Sequence, residues 1–215
     1  YGNDRFFIDL RTEREHDAAH EAKLAALEAA GHPVVRIVMK SIDHIGQEFF
    51  RFEIATAVAG SILGINPFNQ PDVEAAKIKT RELTAAFEKT GALPAEQPVV
   101  SADGVELYTD AQNAEELRKA GANGDLNSWI KAHLSRSGRG DYVALLAYIE
   151  RDGDTIDAMQ AMRLKLRDAK HLATCAEFGP RFLHSTGQAY KGGPDSGVFL
   201  QVTTDDSQDL AVPGQ

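Results

Sequence analysis

Asp141-Tyr-Val-Ala-Leu-Leu-Ala-Tyr-Ile149 is the stretch on which the reading of the fold turns. Its apolar residues run almost without a break instead of alternating with polar ones. That pattern marks a strand covered on both faces, as in the middle of a parallel sheet. Downstream, the spacing predicts a helix over 154–169 with Ile156, Met159, Met162, Leu164 and Leu166 inward or near inward. A strand at about 171–177, a polar Gly-containing loop over 179–196 and a last strand, Gly197-Val-Phe-Leu-Gln-Val-Thr203, complete a βαβ-type unit. Upstream the same alternation recurs. Arg5–Leu10 reads as a strand, 14–30 as an Ala-rich helix with Leu24 and Leu27 inward and Gly31 as its stop, and Val34–Met39 as a second strand. Strands alternating with helices define the α/β class, with a mostly parallel sheet flanked by helices.

A second helix is expected from Ile45 to Leu63, amphipathic at first and then small and apolar all round. Such a helix reads as buried, with close packing at Ala55, Ala59 and Gly60. Pro67 and Pro71 interrupt it. Pro71 suits the first position of another helix reaching about Lys89, with Asp72 and Glu74 at its positive end. Residues 91–140 are the least regular. Pro98–Tyr108 resembles a hairpin turning at Asp103-Gly104, and 125–135 a short helix carrying Trp129, Ile130 and Leu134.

The 215 residues predict one or two compact domains, read here as one layered domain with 91–125 as an excursion. With 23 basic and 32 acidic residues the chain carries −9, and a surface of that sign repels nucleic-acid phosphates. No apolar run approaches the roughly 20 residues of a membrane span. One cysteine, Cys175, excludes an internal disulfide framework and suits a reducing cytoplasm. Its place in a predicted strand makes it a small buried hydrophobe. His16 and His20, one turn apart and preceded by Glu13, lack a third ligand and an HExxH pattern, so they read as a solvated helix face. Without an initial Met and a closing element, the chain is expected to be an excerpt of a longer polypeptide.

Gly60-Ser-Ile-Leu-Gly-Ile-Asn-Pro-Phe-Asn-Gln-Pro-Asp-Val-Glu-Ala-Ala-Lys77 resembles the C-terminal signature of the glucose-6-phosphate isomerase family. The match rests on Gly60, Ile62, Leu63, Phe68, Asn69, Gln70, Val73, Glu74 and Lys77, and Gly46–Gly60 looks like the helix that precedes the signature. The chain departs at Asp72, where the family usually has Gly or Ala, and at Asn69, where Asp is commonest. The resemblance implies that Lys77 takes part in opening the sugar ring and that Gln70 contacts substrate. Geometry agrees with a shared site: seven residues of helix span about 10 Å, close to two turns, which returns both to one face. The Lys77 side chain leans toward the helix mouth, where a sugar phosphate would meet a positive helix end.

The loop Gly179-Pro-Arg-Phe-Leu-His-Ser-Thr-Gly-Gln-Ala-Tyr-Lys-Gly-Gly-Pro194 follows a strand, where α/β proteins place ligand loops. Arg181, His184, Ser185, Thr186, Gln188 and Lys191 offer cations, hydroxyls and amides suited to a phosphate or to sugar hydroxyls. His184 is assigned the proton-handling role, the others substrate binding. This loop and its flanking strands resemble the tail of bifunctional transaldolase/glucose-6-phosphate isomerase fusions. The resemblance implies a SIS-like (sugar-isomerase) α/β domain, a phosphorylated hexose as substrate, no metal and no nucleotide. Its implied partners are an upstream SIS domain, a transaldolase domain of the same polypeptide, and further copies in a homo-oligomer; nucleic acid and membrane are not among them. No Ser/Thr-rich phosphate loop precedes residue 46, and Glu48 and Glu53 read as structural acids beside Arg51. The catalytic base is not identifiable in these residues, and the resemblance implies that it and the phosphate clamp lie largely upstream. The competing reading is a non-catalytic sugar-phosphate-binding or assembly domain.

Overall fold

The structure, a computed structural model, describes residues 2, 5–15, 17–69, 71–205, 208 and 211. The chain divides into two compact units, Tyr1–Gln70 and Pro71–Gln215. Both are mixed α/β with parallel pairing, as the strand–helix alternation requires.

In the first unit β1 (Phe7–Thr12) pairs in parallel with β2 (Val34–Met39), Phe7 opposite Val34 and Thr12 opposite Met39. Helix α1 (Ala18–Ala29) joins them, and Asp17 caps it by accepting from the backbone N–H of Ala19 and His20. The helix meets the sheet through charge. Buried Asp9 accepts a hydrogen bond from His20 Nε2 at 2.9 Å, and its Oδ2 forms an ion pair with Arg11 Nε at 3.3 Å without hydrogen-bond geometry. Arg11 reaches Glu21, and Arg36 holds Glu28 through 2.6 Å and 3.0 Å bonds. His20 thus has a carboxylate partner, and His16 lies outside the described residues. The opposite parity of the strands, Ile8, Leu10 and Val35, is apolar and exposed.

Helix α2 (Ile45–Leu63) has the predicted bounds, but its burial differs from expectation. Ala55 and Ala59 are exposed, as are Phe49, Phe50, Ile54, Val58 and Ile62. Glu48 and Gly60 are the buried residues of the helix. Its apolar side chains point in all directions, so a single packing surface leaves most of them uncovered. Glu48 takes Arg51 Nε at 2.8 Å and NH2 at 3.3 Å, the structural pairing expected for it. Gly60 is required by close approach: a Cβ there would lie 2.6 Å from Pro67 Cδ and 2.8 Å from Cγ. The signature's leading glycine therefore serves the chain reversal after α2, where the Ile65 N–H donates to the Gly60 carbonyl.

The second unit opens with α3 (Pro71–Thr90), Pro71 at its first position as predicted. Residues 91–140 are more regular than their sequence suggests. β3 (Val100–Ala102) and β4 (Val105–Leu107) form the hairpin, with Asp103 and Gly104 at φ 54° and 77°. α4 (Ala111–Lys119) and α5 (Leu126–Ser135) close over it around Val100, Ala114, Leu117, Ala122, Trp129 and Ala132.

β5 (Tyr142–Tyr148) is the central strand, with β6 (Ala173–Phe178) on one side and β7 (Gly197–Thr203) on the other, all parallel. Val143 to Ala147 are all buried, as the unbroken apolar run predicts. Helix α6 (Gly153–Lys170) covers the Leu145 and Ala147 face through Met159 and Leu166, while Met162 and Leu164 point outward, contrary to expectation. Leu164 falls off the 3.6-residue stripe that Met159 and Leu166 define, whereas Met162 sits at its edge.

His133 ties α5 to this sheet. Its Nε2 lies 2.7 Å from the Phe199 carbonyl, and since a carbonyl only accepts, Nε2 carries the hydrogen. Burial pushes the imidazole below its ordinary value, outweighing the Phe199 carbonyl, which pulls the other way; Arg136 adds to the depression. A depressed histidine is neutral in the fold and takes up its proton more readily when unfolded. Stability is then complete above the unfolded value of about 6.5 and falls as pH drops from there toward the folded value. Urea midpoints followed by Trp129 fluorescence should decline from pH 7.5 to 5.5, and decline less in His133→Gln. Equal slopes in both proteins contradict the assignment.

Candidate functional site

The segment between β6 and β7 is built as a cover for the sheet. After the cis Gly179–Pro180 bond it makes two short 3-10 turns, Arg181–Leu183 and Ser185–Tyr190. Phe182, 2% exposed, enters the core with Ala144 and Leu146, and its ring meets Tyr148 edge-on at 5.1 Å. Tyr190 stacks on Tyr142 at 6.2 Å and meets Phe199 edge-on at 5.5 Å. Its hydroxyl donates to Glu177 Oε1 at 2.9 Å. Burial first, then hydrogen bonding to Cys175 and Glu177, pushes that hydroxyl far above the ordinary tyrosine value. One face of β5 is thus covered by a helix and the other by this loop. Cys175 is a free, partly buried thiol packed in the same cluster, close to the small hydrophobe expected.

The predicted polar residues divide accordingly. Arg181 and His184 are exposed, and neither side chain has a hydrogen-bond or ion-pair partner among the described residues. Gln188 is half-buried. Lys191 Nζ donates to the Leu183 carbonyl at 2.6 Å and clasps the two turns together. Ser185 and Thr186 begin the second turn; their side chains lie outside the described residues, and so does Gln70. Lys77 is exposed on α3 and makes no hydrogen bond or ion pair among the described residues. Glu74, the neighbour that could have neutralised it, is taken by Arg81 NH2 at 2.7 Å. That pairing holds the Glu74 carboxyl below its ordinary range through the Arg81 hydrogen bond.

The structure joins the signature helix to the loop at a point the sequence does not signal. Gly192 lies against the carboxylate of Asp72 in the first turn of α3. A Cβ at Gly192 would fall onto Asp72 Cγ and Oδ1 and come 2.6 Å from Oδ2. Phe182, Tyr190 and Asp72 are the residues that sequence reasoning left out of the site. Two are aromatics inside a polar loop, and the third reads as an ordinary helix-start acid. Among the described residues no group of three His, Cys, Asp or Glu could hold a metal, and no helix is long and apolar enough to cross a membrane.

A parallel sheet whose central strand has neighbours on both sides, with a polar loop leaving a flanking strand, places these residues in the α/β class. Part of the chain is similar to curated glucose-6-phosphate isomerases. The probable glucose-6-phosphate isomerase of Halobacterium salinarum is 42% identical over 69 residues, 31% of this chain and 16% of that protein. The glucose-6-phosphate isomerase of Parabacteroides distasonis is 41% identical over 63 residues, 28% and 13% of the two chains. That of Limosilactobacillus fermentum is 43% identical over 77 residues, 34% and 17%. The chain spans less than a fifth of the length of these relatives. No protein-family model and no solved structure matches it.

Proposed function

We propose that these residues supply the ring-opening part of a sugar-phosphate isomerase site, interconverting glucose 6-phosphate and fructose 6-phosphate through an enediol. The observation that carries the reading is the 41–43% identity to curated glucose-6-phosphate isomerases. An exposed Lys77 whose neighbouring acid is occupied by Arg81 supports it. In this reading the Lys77 ammonium meets the ring oxygen of the bound pyranose and exchanges a proton with it as the ring opens. Gln70 contacts substrate, as the resemblance implies. Arg181, Ser185, Thr186, Gln188 and Lys191 bind substrate along the loop, and His184 handles a proton or a sugar hydroxyl.

The proton shuttle between C1 and C2 needs a base, and a carboxylate is the usual group. Glu48, the buried acid of α2, is committed to Arg51, and in this reading, as the resemblance implies, the base and the phosphate clamp come from an upstream SIS domain of the same polypeptide. A transaldolase domain preceding that one completes the fusion type that the loop resembles. A single free cysteine suits a cytoplasmic setting.

A coupled assay of the 215-residue chain, alone and joined to its upstream region, tests the reading. Activity is expected in the longer polypeptide and absent from the chain alone. Inactivity of both, with fructose 6-phosphate still raising the melting temperature of the chain, would instead favour a non-catalytic sugar-phosphate-binding domain.

A further inference from the structure

We infer that α2 is the seat of an interface within one longer polypeptide, enclosed on two opposite sides by the region upstream of these residues. That this region is a sugar-isomerase domain rests on the isomerase reading; the enclosure of α2 does not.

The exposed apolar residues of α2 sort into two rows. Phe50, Ile54, Val58 and Ile62 follow one another at four-residue steps and are 50–80% exposed. At about 100° of turn per residue, Phe49, Phe52 and Leu63 fall on the opposite side, and they are exposed too. From Ile54 to Leu63 the helix carries no charged residue. Thr56, polar within that stretch, donates its hydroxyl to the Phe52 carbonyl at 2.8 Å and needs no water. A helix apolar all round belongs in an interior. The sheet of the same unit is open as well. Among the described residues β1 pairs with β2 alone, and Ile8, Leu10 and Val35 are uncovered. Parallel strands are ordinarily covered on both faces, and two strands by themselves are marginal. A second copy seated about a two-fold axis would cover one row of α2 and leave the other in water. Two opposite rows need a body of chain that surrounds the helix. The curated relatives leave room for one, since the match occupies 13–17% of each.

One substitution in each row tests the enclosure. Phe49→Lys and Val58→Lys are each placed in the 215-residue chain and in the polypeptide that joins it to its upstream region. In the chain alone both sites face water, so either variant should shift the melting temperature by no more than about 2 °C. In the longer polypeptide the introduced ammonium is buried without a partner, and melting should fall by about 5 °C or more for each. Where a variant of the longer polypeptide does not fold, the two wild-type proteins still decide. The α2 amides should exchange about a hundredfold more slowly in the longer polypeptide than in the chain alone. Equal exchange in the two, or variants that are silent in both, overturns the inference. Sensitivity of one row alone overturns it as well. So does a chain that dimerises by itself in sedimentation and is made monomeric by either variant, which would give α2 to a second copy. A longer polypeptide that protects α2 yet shows no isomerase activity ends the isomerase reading and leaves the enclosure standing. An active one with α2 unprotected does the reverse.

Discussion

Lys77→Ala is expected to lower kcat/KM for glucose 6-phosphate by about 10²–10⁴-fold in the polypeptide that joins these residues to their upstream region, the range typical of a lost general acid–base group. The ring oxygen of a pyranose is a poor leaving group unless it receives a proton as the C1–O bond breaks. On α3, Lys77 can supply that proton, because Arg81 takes the nearby Glu74 carboxylate at 2.7 Å. Lys77→Arg should not rescue activity, since a guanidinium does not give up its proton in a protein. The effect should be confined to chemistry. Lys77 is exposed, and surface substitutions away from special features usually stay within about 0.5 kcal/mol, so the denaturation midpoint should not move. Substrate already in the open-chain form should be turned over by Lys77→Ala with a smaller deficit than the cyclic form. Full activity of Lys77→Ala on the cyclic sugar would sink the role given to this lysine.

The parts of the fold that were legible in the sequence are those where local pattern and tertiary context agree. β5 shows its central position in an unbroken apolar run, and Pro71 marks the first residue of α3. α4 escaped because Ala114 and Leu117 are its buried residues; two apolar positions among polar neighbours make too narrow a stripe to stand out. α2 shows the opposite failure. Its composition is that of a buried helix, yet burial depends on what packs against it, which no periodicity contains. At the site, the sequence indicates which groups a loop can offer but not which way the loop faces. Arg181 and His184 do reach solvent, whereas Lys191 spends its ammonium on the Leu183 carbonyl. The contact of Asp72 with Gly192 spans 120 positions of chain and leaves no local trace at either end.

Phe182 shows how far such a loop can depend on a residue that has no part in its chemistry. Its ring is 2% exposed between Ala144, Leu146 and Tyr148, and with Tyr190 it does for one face of the sheet what α6 does for the other. A helix covering a sheet keeps its own backbone hydrogen bonds when a contact is lost. Two 3-10 turns hold far fewer, so this loop depends on its side-chain anchors. Phe182→Ala removes a fully buried ring from a site lined by strand residues that cannot collapse inward, and the expected cost is about 3–5 kcal/mol. That is a large fraction of the roughly 5–15 kcal/mol available to a domain. The chemical-denaturation midpoint of the second unit, read by Trp129 fluorescence, should fall accordingly. Below the transition, the 181–191 amides should exchange faster than those of β5, because the strand keeps both neighbours while the loop loses its hold. Protection of the loop unchanged from wild type would mean that Tyr190 and its bond to Glu177 suffice to anchor it, and that the ring of Phe182 only fills space.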